Sequence, residues 1–215
     1  INGTQPSIVN VNNANGFSIV NWKTNGSSSQ TVGHGLSSTP EIVFYKKLSG
    51  SQDWFVETNA IDGSYDYGYL NNTDAFTLNE SGAWSTRATS TTITNFTSNN
   101  NYEYVAYCFH SVSGYSKIGS YTGTGSSTRS FTGLGFQPDF VMVKSATQSA
   151  GWHMYDSARG VKKRIVANNN AAEYNEASSG SAGLNSFDSD GWTIGNDTDL
   201  NGNGETYVYM AFKAN

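Results

Sequence analysis

The residues best suited to ligand contact lie in one tyrosine-rich stretch of the first half of the chain. Tyr65, Tyr67 and Tyr69 alternate there, with Asp62 and Asp66 close by. Tyrosine rings present flat apolar faces with polar tips, so they could stack on a sugar ring while the carboxylates accept hydrogen bonds from its hydroxyls. Packing against a neighbouring subunit explains the same five residues equally well. The stretch therefore predicts a glycan-contact loop, with a subunit interface as the open alternative.

A second candidate ligand site is the oxygen-rich stretch DTDLNGNGE at residues 197–205. Asp199, Asn201, Asn203 and Gly204 reproduce the first half of a calcium-binding loop. A full loop also needs a glutamate at its twelfth position, and Met210 stands there. A turn made of Asn and Gly, which tolerate positive φ, accounts for the same letters without a metal. No cofactor is expected, and calcium at these residues remains an open alternative.

Motifs of the common enzyme classes are missing from the sequence. The Gly-x-Gly pairs lack the third glycine of a dinucleotide-binding turn, and there is no phosphate-binding loop. Nor does the chain contain the G-x-S-x-G turn that carries the nucleophile of many hydrolases. Glycoside hydrolysis needs only two nearby carboxylates, and Asp62 with Asp66, or Asp188 with Asp190, are the closest such pairs. The three histidines are His34, His110 and His153. They lie far apart in the sequence, which gives a zinc site little support. We therefore expect a protein without catalytic activity.

The elements that would position these residues are all predicted to be β-strands. Short runs rich in β-branched and aromatic residues recur every ~10–15 residues, with turn residues between them. In the first half these runs are 17–22, 30–36, 41–47, 54–58, 75–78, 91–96 and 102–109. The segment 62–69 is predicted to be a loop, and at most one helical turn is predicted near 168–177.

An internal repeat organises the chain. The run YVAYCF at 104–109 recurs as YVYMAF at 207–212. Pro40 and Pro138 lie 98 residues apart, which is the size of a complete β-sandwich domain. We therefore predict two tandem β-sandwich domains of jelly-roll or lectin-like type from an internal duplication. Their predicted boundaries are 16–113 and 114–215, preceded by a linker or edge strand at 1–15.

Two pairs of tryptophans are interpreted as equivalent positions of the two repeats. Trp54 and Trp152 also lie 98 residues apart, which predicts a shared role in the two cores. Trp84 and Trp192 each follow a short turn of small residues and are interpreted as a second equivalent pair.

The motifs at the junction of the repeats resemble a known family. The run YVAYCFHSVSGYSKIGSYTGTG is followed by FTGLGFQPDFVMVKS and WHMYDSARG, and it is preceded by GHGLSSTPEIVFYKK and YLNNTDAF. Together these runs are similar to a repeated domain of uncharacterised function. That domain occurs in tail-fibre-like and other structural proteins of marine bacteriophages, including phages of cyanobacteria. The resemblance covers about residues 16 to 215. It implies a virion component and supplies no catalytic residues.

Composition limits the partners. The net charge is −5, so the chain lacks the basic surface that nucleic-acid binding requires. The single cysteine, Cys108, lies in an apolar run and is predicted to be a small core residue. The longest apolar runs are too short for a membrane span, so no membrane insertion is expected.

These observations lead to one leading hypothesis and two alternatives. The leading hypothesis is a non-enzymatic phage structural or adhesion protein, located in a tail appendage or on the particle surface. It would contact itself and other virion proteins, as a trimer if it is a fibre, and a host-surface glycan is an open further partner. The first alternative is a carbohydrate-binding module of a secreted polysaccharide-active enzyme. The second is a polysaccharide-degrading enzyme.

Overall fold

Antiparallel β-strands make up most of the described chain, as the sequence predicts. The computed structural model describes residues 2–27, 30–78, 87–94, 100–179 and 182–214, so Trp84 lies outside the described residues. The fold is all-β, and the described residues include a single-turn α-helix and a short 3-10 turn. In the described part of the chain, no helix is long and apolar enough to cross a membrane.

The chain divides into two compact units. Unit 1 contains Ile1–Tyr69 and Thr77–His110, and unit 2 contains Leu70–Phe76 and Ser111–Asn215. The observed division at 110/111 is close to the predicted boundary at 113/114. The short segment Leu70–Phe76 is different, because it belongs to unit 2 although it comes from the first half of the sequence.

Unit 1 consists of a large sheet and a small one. The strands are β1 (Ser7–Asn12), β2 (Phe17–Asn25), β3 (Thr31–Gly33), β4 (Ile42–Lys47), β5 (Phe55–Thr58), β6 (Asp66–Tyr69), β7 (Thr92–Thr94) and β8 (Asn100–Phe109). The large sheet has the order β1-β2-β8-β4-β5-β6, and β3 pairs with β7. Strand β2 alternates between buried and partly exposed residues, the pattern of a strand with one face on the core. Its Val20 and Trp22 lie in the core with Val32 and Ile93 of the small sheet.

Unit 2 has the same general plan. Its elements are β9 (Ser116–Thr122), β10 (Arg129–Phe131), β11 (Phe140–Ser145), β12 (Trp152–Asp156), β13 (Lys163–Val166), β14 (Tyr174–Asn175), a 3-10 turn (Glu176–Ser178), β15 (Leu184–Asp188), β16 (Gly191–Ile194), α1 (Thr198–Asn201) and β17 (Thr206–Phe212). The large sheet has the order β14-β13-β12-β11-β17-β9, and the small sheet has the order β10-β16-β15. Trp192 of the small sheet is fully buried and stacks on Phe131 with ring centroids 4.6 Å apart.

Strand order and register correspond between the units. The order β2-β8-β4-β5-β6 in unit 1 matches β9-β17-β11-β12-β13 in unit 2. Val43 lies opposite Glu57, and Val141 lies opposite Tyr155, so the spacing of 98 residues is kept on both strands. This correspondence supports a duplication, which remains our prediction for the origin of the chain.

Some local predictions differ from the structure. The predicted loop 62–69 ends in strand β6, and residues 75–78 form only an isolated bridge, at Thr77. The N-terminal segment contains the edge strand β1. The two period-related tryptophans also differ: Trp152 is buried beneath Phe76, whereas Trp54 is half-buried and stacks on Tyr107.

Candidate functional site

The predicted tyrosine-rich loop turns its rings towards its own unit. The Tyr65 hydroxyl donates a 2.6 Å hydrogen bond to the carbonyl of Ala88. The Arg87 guanidinium lies 5.3 Å from the centre of the Tyr65 ring. Tyr67 and Tyr69 are half-buried on β6. Both rings contact one side chain on the neighbouring strand, Phe55, with centroid distances of 5.9 and 4.9 Å.

The two carboxylates predicted beside these tyrosines have different surroundings. Asp66 is only 1% exposed, and it points to the opposite face of β6 because successive strand residues alternate. Asp62 accepts hydrogen bonds from the amide and the hydroxyl of Ser64, at 2.8 and 2.6 Å, and so closes its own turn. The structure therefore places Tyr67 and Tyr69 together on Phe55, whereas Tyr65 bonds to Ala88. Asp66 lies with Tyr65 and Tyr67 around one small hollow, and Asp62 remains in its own turn. Glycan contact at this loop remains a prediction.

Sequence reasoning did not find the buried acid next to this loop, Glu57. Its carboxylate accepts a 2.7 Å hydrogen bond from the Tyr45 hydroxyl, and the side chains lie inside unit 1. Burial raises the Glu57 pKa to about 7, although the Tyr45 hydrogen bond and the Arg87 charge act in the opposite direction. The hollow beside Glu57 leaves no volume for a water molecule. Glu57 therefore has the pKa of an acid–base catalyst without room for a substrate.

The three predicted calcium ligands have separate roles in unit 2. Asn201 is fully buried. Its carbonyl oxygen accepts from the Thr124 amide at 2.8 Å, and its amide nitrogen donates to the carbonyls of Ser126 and Gly195 at 3.0 Å. Asn203 is exposed. The turn interpretation accounts for Asn201, which ties the α1 turn to a neighbouring loop.

The third predicted calcium ligand, Asp199, lies at the start of α1 with its side chain 43% exposed, 3.6 Å from the His153 ring. Among the described residues, no three His, Cys, Asp or Glu side chains are placed to hold a metal ion.

Unit 2 contains a polar cluster centred on Arg164 of β13. One guanidinium nitrogen lies 3.1 Å from a carboxylate oxygen of Glu176 and 3.1 Å from one of Asp197. The Tyr155 hydroxyl donates to the other Glu176 oxygen at 3.0 Å. Burial raises the Glu176 pKa, while the Arg164 charge and the Tyr155 hydrogen bond oppose the rise. Sequence reasoning missed this cluster because its members are spaced without a motif and meet only in the folded sheet.

His153 lies beside this cluster and is almost fully buried. The same Arg164 nitrogen lies 3.1 Å from Nδ1 of His153. Because arginine can only donate, Nδ1 accepts and the ring proton is on Nε2, which faces Asp199. Burial, followed by the Arg164 and Lys144 charges, lowers the His153 pKa to about 3. The contact with Asp199 therefore joins a neutral ring to a carboxylate and is not an ion pair at neutral pH.

Lys144 is a fully buried cation of unit 2. Its ammonium donates to the carbonyl of Ser145 at 2.8 Å and lies 3.4 Å from that of Thr73. Burial lowers its pKa to about 8, although the charges of Asp74 and Asp199 oppose the change. The Leu70–Phe76 segment thus supplies both a carbonyl and a carboxylate for this lysine.

Comparison with known proteins places the chain in a family. Searches among curated proteins and among solved structures each gave no match. A family model matches the whole chain, residues 1–215. The chain therefore belongs to the family described as "Domain of unknown function (DUF7483)".

Proposed function

We propose that this protein is a non-enzymatic structural and adhesion component of a phage particle, in a tail fibre or at the particle surface. It acts through contacts between copies of the chain and with other virion proteins. The junction motifs that resemble marine phage structural proteins support the virion assignment. The correspondence of the two strand orders supports a protein built from repeated modules.

The observation that carries the assembly role is the edge strand β1. It is the outermost strand of the large sheet of unit 1, and Ile8 and Val11 are 71% and 45% exposed there. Edge strands of soluble monomers commonly carry charges, prolines or bulges that prevent pairing with another chain. The sequence of β1, SIVNVN, has no charge and no proline, and its pairing with β2 continues through all six residues without a bulge.

A second copy of the chain fits this edge. Two uncharged β1 strands can pair without electrostatic repulsion, and their exposed Ile8 and Val11 side chains would be removed from water. Burying apolar surface contributes roughly 25 cal/mol per Å². The ladder of backbone hydrogen bonds would fix the orientation of the copies, as in other cases of strand addition.

The test is the oligomeric state measured by light scattering after size-exclusion chromatography. The unmodified chain is expected to form a defined homo-oligomer, and Ile8→Lys combined with Val11→Lys should yield a monomer. Leu48→Lys is the matched control, because Leu48 is equally apolar and 52% exposed outside the strands. A stable monomer at high concentration would contradict the proposal. It would favour the alternative of a carbohydrate-binding module from a secreted polysaccharide-active enzyme.

A further inference from the structure

A polar pocket of about 140 Å³ opens in unit 2 next to the Arg164 cluster. Residues from several elements line it, including Thr73, Gly151, Asn168, Asn169, Tyr174 and Asp199. These residues come from distant parts of the sequence, so no local motif could indicate the pocket. Its position differs from that of the predicted tyrosine-rich loop, which lies in unit 1.

The pocket depends on a missing side chain at Gly151. A Cβ atom there would lie 2.6 Å from Cγ1 of Val166, 3.0 Å from Oδ1 of Asn168 and 3.3 Å from Nε2 of His153. Contacts below 3.0 Å are not tolerated without movement, so any larger residue would fill this space or displace its lining. Glycine therefore keeps the pocket open at the point where His153 reaches it.

One wall of the pocket is an aromatic ring. Tyr174 is 42% exposed, and it stands opposite Arg164 in the pairing of β13 with β14. The Arg164 guanidinium lies 4.9 Å from the centre of the Tyr174 ring. That guanidinium is itself held by Glu176 and Asp197. The ring is therefore supported by a fixed cation and offers apolar surface to a ligand.

Amides and a carboxylate supply hydrogen-bonding groups around the ring. The carbonyl oxygen of Asn168 accepts from the Trp152 amide at 2.9 Å, and that of Asn169 accepts from the Ala171 amide at 2.9 Å. These bonds fix both carboxamides and leave their NH₂ groups as donors. Asp199, which is partly exposed, adds an acceptor. Donors and acceptors next to an aromatic face match the alternating hydroxyls and C–H faces of a sugar ring.

The charges around the pocket exclude an acidic ligand. His153 is neutral, and the Arg164 charge is compensated by Glu176 and Asp197. The Lys144 charge interacts with the carboxylates of Asp74 and Asp199. Lys162 also interacts with Glu176, so four carboxyl groups stand against three cations. Uronic acids and sulfated sugars would meet net repulsion in these surroundings, whereas neutral hydroxyls would not.

We propose that this pocket binds the terminal residue of a neutral glycan, which stacks on Tyr174 and hydrogen-bonds to Asn168, Asn169 and Asp199. The inference rests on the proposed function, because it assigns the host-surface contact of an adhesion protein to a specific site. The small volume suits one ring at the end of a chain, since sites for larger ligands usually have volumes of about 300 Å³ or more.

The test is saturation-transfer NMR and titration of the full chain with methyl glycosides of glucose, galactose, mannose and N-acetylglucosamine. At least one of these probes should bind. Tyr174→Ala should weaken that binding about tenfold or more, corresponding to the ~1.4 kcal/mol expected for loss of an aromatic contact. Tyr174→Phe, which keeps the ring, should retain it. Asn169→Ala should weaken binding, and Asn170→Ala is the matched control because Asn170 is exposed outside the pocket lining.

Three outcomes would overturn the inference. The first is sugar binding that survives in Tyr174→Ala. The second is binding of alginate or chondroitin sulfate oligosaccharides only. The third is a folded protein that binds none of the probes. In the first of these outcomes, loss of the neutral-sugar binding in Tyr67→Ala would move the site to the predicted loop. The oligomeric state provides an independent measurement. If Tyr174→Ala and the unmodified chain form the same oligomer, failure of glycan binding leaves the assembly role standing.

Discussion

Each unit keeps one acid and one tyrosine bonded inside its core. In unit 1, Glu57 of β5 bonds to Tyr45 of β4, and in unit 2, Tyr155 of β12 bonds to Glu176. The strand registers put Glu57 and Tyr155 at corresponding positions. The same place in the two folds therefore holds opposite members of the pair. A search for repeated residue identities cannot find such an exchange, which explains why sequence analysis overlooked both acids.

The raised Glu57 pKa predicts a pH-dependent stability. Its folded-state pKa of about 7 lies above the ordinary value of 4.5, so the folded protein holds the proton more tightly than the unfolded chain does. The resulting stabilisation is complete below pH 4.5 and is lost as pH rises through 7. Glu57→Gln removes this titration. Urea denaturation gives the difference in unfolding free energy between the variant and the unmodified protein. This difference, variant minus unmodified, should rise by about 3 kcal/mol from pH 4.5 to pH 8.

Glu103→Gln is the control substitution, because Glu103 is exposed and its replacement should change the unfolding free energy by less than about 0.5 kcal/mol. A Glu57→Gln effect that does not change with pH would contradict the assignment of a neutral, buried carboxyl.

Asn201 gives a second prediction at the residue scale. Asn201→Ala should lower the unfolding free energy by about 2–3 kcal/mol, since Asn201 is fully buried and its loss leaves the Thr124 amide and two carbonyls without their partner. Asn203→Ala should cost less than about 0.5 kcal/mol, because that side chain is exposed. Both measurements should be repeated with calcium and with a chelator. Calcium-dependent stability that Asn203→Ala abolishes would support the calcium alternative.

At the scale of elements, hydrophobic patterns predicted the strands that lie in the middle of the sheets. Strands β2, β4, β8 and β17 have strong aromatic and β-branched patterns, and all four were predicted from them. Strand β6 was missed because DYGY has the Gly and Asp content of a loop. Its pairing with β5, from Phe55 opposite Tyr69 to Thr58 opposite Asp66, overrides that local preference.

Close packing between strands predicts the effect of a substitution in β16. A Cβ at Gly191 would lie 1.9 Å from the carbonyl oxygen of Phe131, so Gly191→Ala must push β10 away from β16. We expect a loss of unfolding free energy of at least about 2 kcal/mol, with faster hydrogen exchange in β10. Gly114→Ala is the comparison, because Gly114 has a φ of +76° and nothing within 4 Å. It should cost only the backbone strain, about 1 kcal/mol. Equal effects of the two substitutions would show that the strand contact does not matter.

For the whole molecule, the repeat predicted two modules and a boundary close to the observed one. The exception is Leu70–Phe76, which lies in the first half of the sequence and packs in unit 2. Phe76 covers Trp152, and Thr73 accepts from the Ala150 amide at 2.9 Å. The predicted equivalence of Trp54 and Trp152 could not reveal this segment, because the cover of Trp152 comes from the first half of the sequence. Trp152 is more deeply buried than Trp54 for this reason.

The placement of this segment predicts that the second half of the chain is incomplete when it is produced alone. A fragment of residues 111–215 lacks Phe76, which is 6% exposed in the full chain with its ring 5.9 Å from Trp152. The Trp152 ring and the Lys144 ammonium would then meet water. We expect fluorescence shifted to longer wavelength and a lower denaturation midpoint than in the full chain. Trp192, the other tryptophan of the fragment, is fully buried and should keep its emission.

A synthetic peptide of residues 70–77 should bind this fragment and restore the shorter-wavelength emission. The same peptide with Phe76→Ala should not, because removal of a buried phenylalanine ring costs about 3–5 kcal/mol. Full stability of the fragment without peptide would mean that residues 111–215 form a complete module, as the repeat alone predicts. Recovery with the native peptide only would mean that unit 2 requires a segment from the first half of the sequence. In that case, the chain cannot be divided by one cut at the junction into two complete modules.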